Sequence, residues 1–154
     1  MTFKVSLDSS IIISHLVGDI HKDEVLLAIE RLNRLRARLF FSLVCYAEVW
    51  TGIELMNDDE QKEQTAVSFA NILQANRLML VADNVAIAKE AARAQAEYRR
   101  RGGRREVLIP DFLIGANATY FSRRLLTTNP RDFFRSFPSL EVLTPKGLLE
   151  KYEA

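Results

Sequence analysis

Scarcities bound what this chain can be. A single cysteine, Cys45, leaves no partner for an internal disulfide and cannot build a cysteine-based zinc site, which fits a reducing compartment. The two histidines, His15 and His21, lack metal-ligand spacing, so ordinary surface or core roles are expected of them. Net charge is nearly absent too: 21 basic against 20 acidic side chains leave +1, too little to steer the whole molecule toward nucleic acid or a membrane. Any charge argument must therefore be local. No apolar run reaches the roughly 20 residues needed to span a bilayer. Asp8 interrupts the first apolar stretch and no small-residue cleavage site follows, so no secretory leader is expected. What remains is a chain of 154 residues with 48% hydrophobic and 27% charged residues, free of repeats, low-complexity segments and linkers. These features predict one cytoplasmic domain over residues 1–154, large enough to bury a real core.

Strand-like and helix-like segments alternate. "FKVSL" (Phe3 to Leu7) reads as a strand, and "SSIIISHLV" opens on hydroxyls suited to starting a helix. From His21, Val25, Leu26, Ile29, Leu32 and Leu35 recur at helical spacing before "ARLFFS" shortens into a strand. Ser42 to Leu55 is apolar nearly all round and predicts a helix buried on most faces. "DDEQKEQTAVSFANILQANR" carries acids first and arginine last, the charge order a helix dipole favours. "RLMLVA" is a third strand, an Ala-rich helix stops at Gly102 and Gly103, and another helix starts at Pro110. "LLTT" and "LEVL" supply the last two strands. The alternation predicts an α/β fold: a mainly parallel sheet of about five strands with helices on both faces. Trp50, Tyr46, Phe40 and Phe41 sit in apolar surroundings and read as core.

Four acids fall near the ends of these elements. Parallel sheets bind ligands outside the carboxyl ends of their strands. Asp8 ends the first strand, Asp111 begins the helix after "VLIP", and Asp132 follows the "LLTT" strand. Each has a plain structural explanation as a cap or first-turn acid, and "NPRD" (Asn129 to Asp132) itself matches an N-cap, a helix-starting proline and an early acid. Glu48 differs, because a carboxylate on so apolar a helix requires a partner, either an arginine or a metal. Taken jointly, converging carboxylates repel one another and need a compensating cation. Oxygen ligands without His or Cys suit magnesium or manganese.

The stretches "LDSSIII", "YAEVWTGI", "IPDFLIGANA" and "LLTTNPRDFFRSFPSLEVLTP" occur in the order and rough spacing of one family. In these stretches the chain resembles the PIN-domain ribonucleases, particularly the VapC-type toxins of bacterial toxin–antitoxin pairs, from Phe3 to about Pro145. The resemblance implies a PIN-like three-layer α/β/α fold and a magnesium- or manganese-dependent endoribonuclease that leaves a 5′ phosphate and a 3′ hydroxyl. It implies that Asp8, Glu48 and Asp111 hold the metal, Glu48 also being able to position or deprotonate water. Ser10 and Thr128 would hydrogen-bond these ligands from behind. Asn129 stands where the family often has Asp, and Asp132 also has a family counterpart, so either can complete the site. It further implies an RNA substrate, a cognate antitoxin whose apolar helix fills a groove, and a homodimer.

An acidic pocket repels RNA, so cations are expected on its rim. "YRRRGGRRE" places Arg99, Arg100, Arg101, Arg104 and Arg105 just before the Asp111 motif. They read equally well as a solvated helix end and as phosphate ligands. Arg123 and Arg124 are weaker candidates, at the end of the next helix. Two rivals stand beside the nuclease. A phosphohydrolase would want a second Asp two residues after Asp8 and a Lys after "LLTT", and the chain has neither. The other is a catalytically silent binding or regulatory module that kept the fold, for which Asn129 leaves an opening.

Overall fold

The computed structural model describes residues 2–153. Their strands are β1 (Lys4–Leu7), β2 (Arg38–Ser42), β3 (Met79–Val81), β4 (Arg124–Leu126) and β5 (Glu141–Leu143). Around them run α1 (Ser9–Val17), α2 (Lys22–Arg34), α3 (Leu43–Glu54), α4 (Asp59–Ala75), α5 (Val85–Arg100), α6 (Ile109–Phe121) and α7 (Pro145–Lys151), with a 3₁₀ turn at Asp132–Ser136. All four strand pairings are parallel, in the order β3-β2-β1-β4-β5. Consecutive residues of a strand point to opposite faces. Val5, Ser6 and Leu7 are nonetheless all buried, so helices cover both sides and the architecture is three-layered.

The chain moves outward from β1 through β2 to β3, then returns to the other flank of β1 for β4. That reversal opens a crevice beyond the carboxyl ends of β1 and β4, the place where open α/β sheets bind ligands. Local chemistry fixes the helices that surround it. The Ser42 hydroxyl caps α3 by accepting from the Cys45 N–H at 3.1 Å, Asp58 caps α4, and Asn84 caps α5 through the Ile87 N–H at 2.9 Å. Helix α6 is drawn close to the segment after β4 at Gly115, where a Cβ would lie 2.4 Å from the Phe137 ring. Only glycine permits that approach.

Three expectations change. Helix α3 is not buried on most faces: Cys45, Val49 and Ile53 point inward, while Leu43, Ala47, Glu48, Thr51 and Leu55 are exposed. Leu43 and Leu55 on that exposed side remain uncovered. "NPRD" does not begin a helix at Asn129, since the 3₁₀ turn starts at Asp132. The chain also continues past β5 into α7, capped by the Thr144 hydroxyl accepting from the Gly147 N–H at 3.0 Å and started by Pro145. The aromatic core matches expectation. Phe40 and Phe41 are buried, and Tyr46 stacks on Trp50 with ring centroids 6.2 Å apart against Phe69. Among the described residues, no helix is long and apolar enough to cross a membrane.

Candidate functional site

Asp8 leaves β1 at the crevice and stands at the N-cap position of α1. Its side chain makes no capping bond. Instead Oδ2 accepts from the Ser10 hydroxyl at 2.8 Å and from the Thr127 hydroxyl at 2.9 Å, while its own N–H donates to the Leu126 carbonyl at 2.9 Å. Both hydroxyls hold one oxygen from behind, and the capping explanation for Asp8 falls. Glu48 reaches the same place from α3, where the Ser9 hydroxyl donates to its Oε1 at 2.9 Å. Ligand atoms of Asp8, Glu48 and Cys45 lie within 4.8 Å of one another.

Electrostatics mark Glu48 as the point of strain. Although the residue as a whole is exposed, its carboxylate end is turned into the protein. Lost hydration is the main cause holding its pKa above the ordinary carboxylate range, opposed by the Ser9 hydrogen bond and reinforced by the negative charges of Asp8 and Asp111; Arg131 pulls the other way. Cys45 is buried beside Asp8, its Sγ 4.0 Å from Oδ1. Burial, then the neighbouring Asp8 charge, pushes its thiol far up, which disfavours the thiolate.

Asp111 faces this group from α6 but lies outside its tight contact. Its Oδ2 accepts from the Leu108 N–H at 3.0 Å, closing the first turn of α6, and its Oδ1 is 3.1 Å from Nη1 of Arg131. One carboxylate thus closes a helix turn while its charge reaches Glu48. Arg131 is the cation that pairs with Asp111 and acts on Glu48. It bridges Asp111 to a cleft of about 770 Å³ lined by Tyr98, Arg101, Arg104, Asp111, Asn129 and Asp132.

The remaining candidates divide. Asn129 donates its N–H to the Thr127 hydroxyl at 3.1 Å, one step removed from Asp8. Asp132, also in the cleft lining, is held by Arg101 at 3.3 Å and Arg135 at 3.2 Å. Of the five expected arginines, Arg101 and Arg104 line the cleft, and Arg101 is further fixed by the Ser136 hydroxyl and the Tyr98 ring. Arg99, Arg100 and Arg105 are exposed away from its lining. Thr128 meets the site through its backbone N–H, which donates to Ser10 Oγ at 3.1 Å; the hydroxyl on Asp8 belongs to Thr127. Three contributors escaped the sequence reading: Thr127, Ser9 as the partner of Glu48, and Arg131. The signal for Thr127 lay in "LLTT", had the end of β4 been known.

Asp8 and Glu48 offer a hard, all-oxygen donor set with Asp111 close enough to act on it. That chemistry fits a hard divalent cation.

A family model described as the PIN domain matches residues 5–138. No curated protein matches the sequence. Among solved structures, VapBC2 from Rickettsia felis bound to promoter DNA superposes with a TM-score of 0.74 at 20% identity, over 92% of this chain and 98% of that one. DNA-bound VapBC from Salmonella typhimurium gives 0.71 at 22%, over 94% and 99%. Mycobacterium tuberculosis VapC20, a toxin that cleaves the sarcin–ricin loop, gives 0.57 at 16%, over 86% and 94%. At these identities the likeness is one of fold.

Proposed function

The chain belongs to the PIN domain family, and on that premise we propose that it is a metal-dependent endoribonuclease, the toxin of a toxin–antitoxin pair. The observation that carries the reading is the meeting of Asp8 and Glu48 within 4.8 Å at the carboxyl edge of the sheet, with Asp111 acting on Glu48 across the crevice. Crowded acids on separate elements raise the free energy of the empty site, and a divalent ion relieves it. Asp8, Glu48 and Asp111 would hold magnesium or manganese, with Asn129 nearer to Asp8 than the arginine-bound Asp132 by its hydrogen-bond path. When bound, such an ion lowers the pKa of water and stabilises negative charge developing on a phosphate.

The protein's own side chains perform the rest. Ser10 and Thr127 fix one oxygen of Asp8, leaving the other free to ligate. Ser9 fixes Oε1 of Glu48, and lost hydration, with the charges of Asp8 and Asp111 beside it, raises the proton affinity of that carboxylate, the direction a group that takes a proton from water requires. Arg131 neutralises Asp111 at rest and, together with Arg104, presents positive charge along the cleft for RNA phosphates. We also assign the whole chain to one domain working in the cytoplasm as a homodimer. A cognate antitoxin would cover apolar surface such as Val17, Ile20 and Leu27, which the fold leaves exposed.

The test combines purified protein, a panel of structured RNAs, and manganese or magnesium, with chelator and Asp8→Asn as controls. Cleavage that needs both metal and Asp8 supports the assignment. Folded wild type that leaves every RNA intact, with a melting midpoint unmoved by metal, points instead to the silent binding module.

A further inference from the structure

The opposite edge of the sheet has a second charged surface. Among the described residues, three non-glycine residues have left-handed backbone, and all three are arginines: Arg36 (φ 55), Arg77 (φ 53) and Arg123 (φ 62). Each follows a helix and precedes a strand, leading into β2, β3 and β4. In the first two, paired backbone bonds close the helix end: Arg36 N–H to Asn33 and Ala37 N–H to Leu32, then Arg77 N–H to Gln74 and Leu78 N–H to Leu73. Glycine is the favoured residue at such a position, because a Cβ there is strained, and asparagine tolerates it through the local hydrogen bonds of its short side chain.

Neutralising the helix dipole does not explain the choice, since a cation in the last helical turn serves the dipole on ordinary backbone. What the three positions share is the edge. Parallel strands collect their amino ends on one side, so Arg77, Arg36, Arg38, Lys4, Arg123 and Arg124 follow the strand order β3-β2-β1-β4. At about 4.8 Å per strand the row is about 14 Å long, the length of about four stacked nucleotides of one strand. Arg36, Arg38, Arg77 and Arg123 are exposed, and none makes an ion pair among the described residues. Arg36, Arg38 and Arg77 line a hollow of about 650 Å³ with Asn33 and Asn76, and no acid lines it. Glu141, at the start of β5, is already held by Arg124, Lys151 and the Tyr152 hydroxyl.

We infer that this amino edge is a second binding surface for a phosphodiester backbone, with Arg36, Arg77 and Arg123 as its contacts and RNA as its occupant. The choice of RNA rests on the ribonuclease reading above; the phosphate chemistry does not. The edge would hold a distant part of a long or folded RNA while the carboxyl edge acts on another.

Left-handed backbone makes the test selective, because Arg36→Gly, Arg77→Gly and Arg123→Gly remove the side chains and relieve the strain together. The combined variant should melt no lower than wild type. With metal chelated, its affinity for a 30-nucleotide single-stranded RNA should fall about tenfold or more, and the slope of log K against log[salt] should shrink by about 2, at about 0.7 per lost phosphate contact. Asparagine at the same positions, which also tolerates this backbone, should reproduce the loss. An equal loss on DNA of the same sequence supports the backbone as ligand, and a wild type that binds DNA but not RNA overturns RNA as occupant. Unchanged affinity and slope in a folded triple variant overturn the whole inference. Manganese-supported cleavage of a short oligoribonucleotide, read on the same proteins, should persist in the triple variant. If wild type lacks that cleavage, the ribonuclease reading fails while the chelated binding still decides the edge.

Discussion

The two ends of one sheet carry opposite chemistry. At the carboxyl end, Asp8 and Glu48 meet under the hydroxyls of Ser9, Ser10 and Thr127, with Arg131 paired to Asp111 beside them. At the amino end, arginines follow the strand order. A net charge of +1 conceals both, because parallel pairing gathers every strand start on one side and every strand finish on the other. The ends also differ in how like charges are tolerated. Lost hydration, reinforced by the neighbouring acids, lifts the Glu48 pKa, whereas the arginines are spread in water where repulsion is weak. Enclosure therefore separates a site able to hold a small, hard cation from a surface suited to a long polyanion.

The contrast can be broken most severely at Asp8. Asp8→Asn removes a charge from the enclosed end, and cleavage should drop by about 100-fold or more; the same change should abolish any rise in melting midpoint caused by manganese. A variant that keeps its manganese shift would remove Asp8 from the ligand set. Next in size is Thr127→Val, which strips one hydroxyl from Asp8 and should weaken metal binding by about tenfold, against little change for Thr128→Val. Equal effects at the two threonines, measured by titrating manganese with electron paramagnetic resonance, would contradict the hydrogen-bond assignment. Arg131→Gln should act in the other direction and tighten manganese binding several-fold, about 3-fold or more, by removing the cation that competes at Asp111. If the arginine only braces α6, the variant should melt lower with its metal affinity unmoved.

The smallest expected effect concerns pH. An acid whose folded pKa is raised binds its proton more tightly in the native state, so its contribution to stability is present at low pH and is lost as pH rises from the ordinary carboxylate value through the raised one. Glu48→Gln should therefore melt slightly above wild type at pH 8, and the gap should close toward acid pH. Calorimetry across that range decides the matter, and a gap that widens in acid would reverse the assigned strain.

Much of this arrangement was legible before any coordinates. The alternating elements pointed to the fold class, and an acid at the end of a strand pointed to the edge where Asp8 and Glu48 meet. Helix α3 was misjudged because apolar composition does not say which residues find a partner, and its Leu43 and Leu55 remain uncovered. Thr127 and Thr128 could not be told apart, since a shift of one residue at the end of β4 reverses which side chain faces Asp8. Helix α7 was missed although Thr144 and Pro145 form an ordinary helix start. Arg131 was invisible as a partner of Asp111 because 20 residues separate them in sequence. The row of arginines had the same difficulty, for nothing in "LRARL" or "ANRLM" reveals left-handed backbone at an arginine.

Cys45 gives the enclosed end a native gauge of its own motion. Its thiol is buried against Asp8 and keeps its proton, so an alkylating reagent reaches and reacts with it only when α3 lifts from the sheet. The rate of labelling then counts those openings directly. Any ion clamping Asp8 to Glu48 ties α3 to β1, and should slow the labelling clock without touching the sulfur.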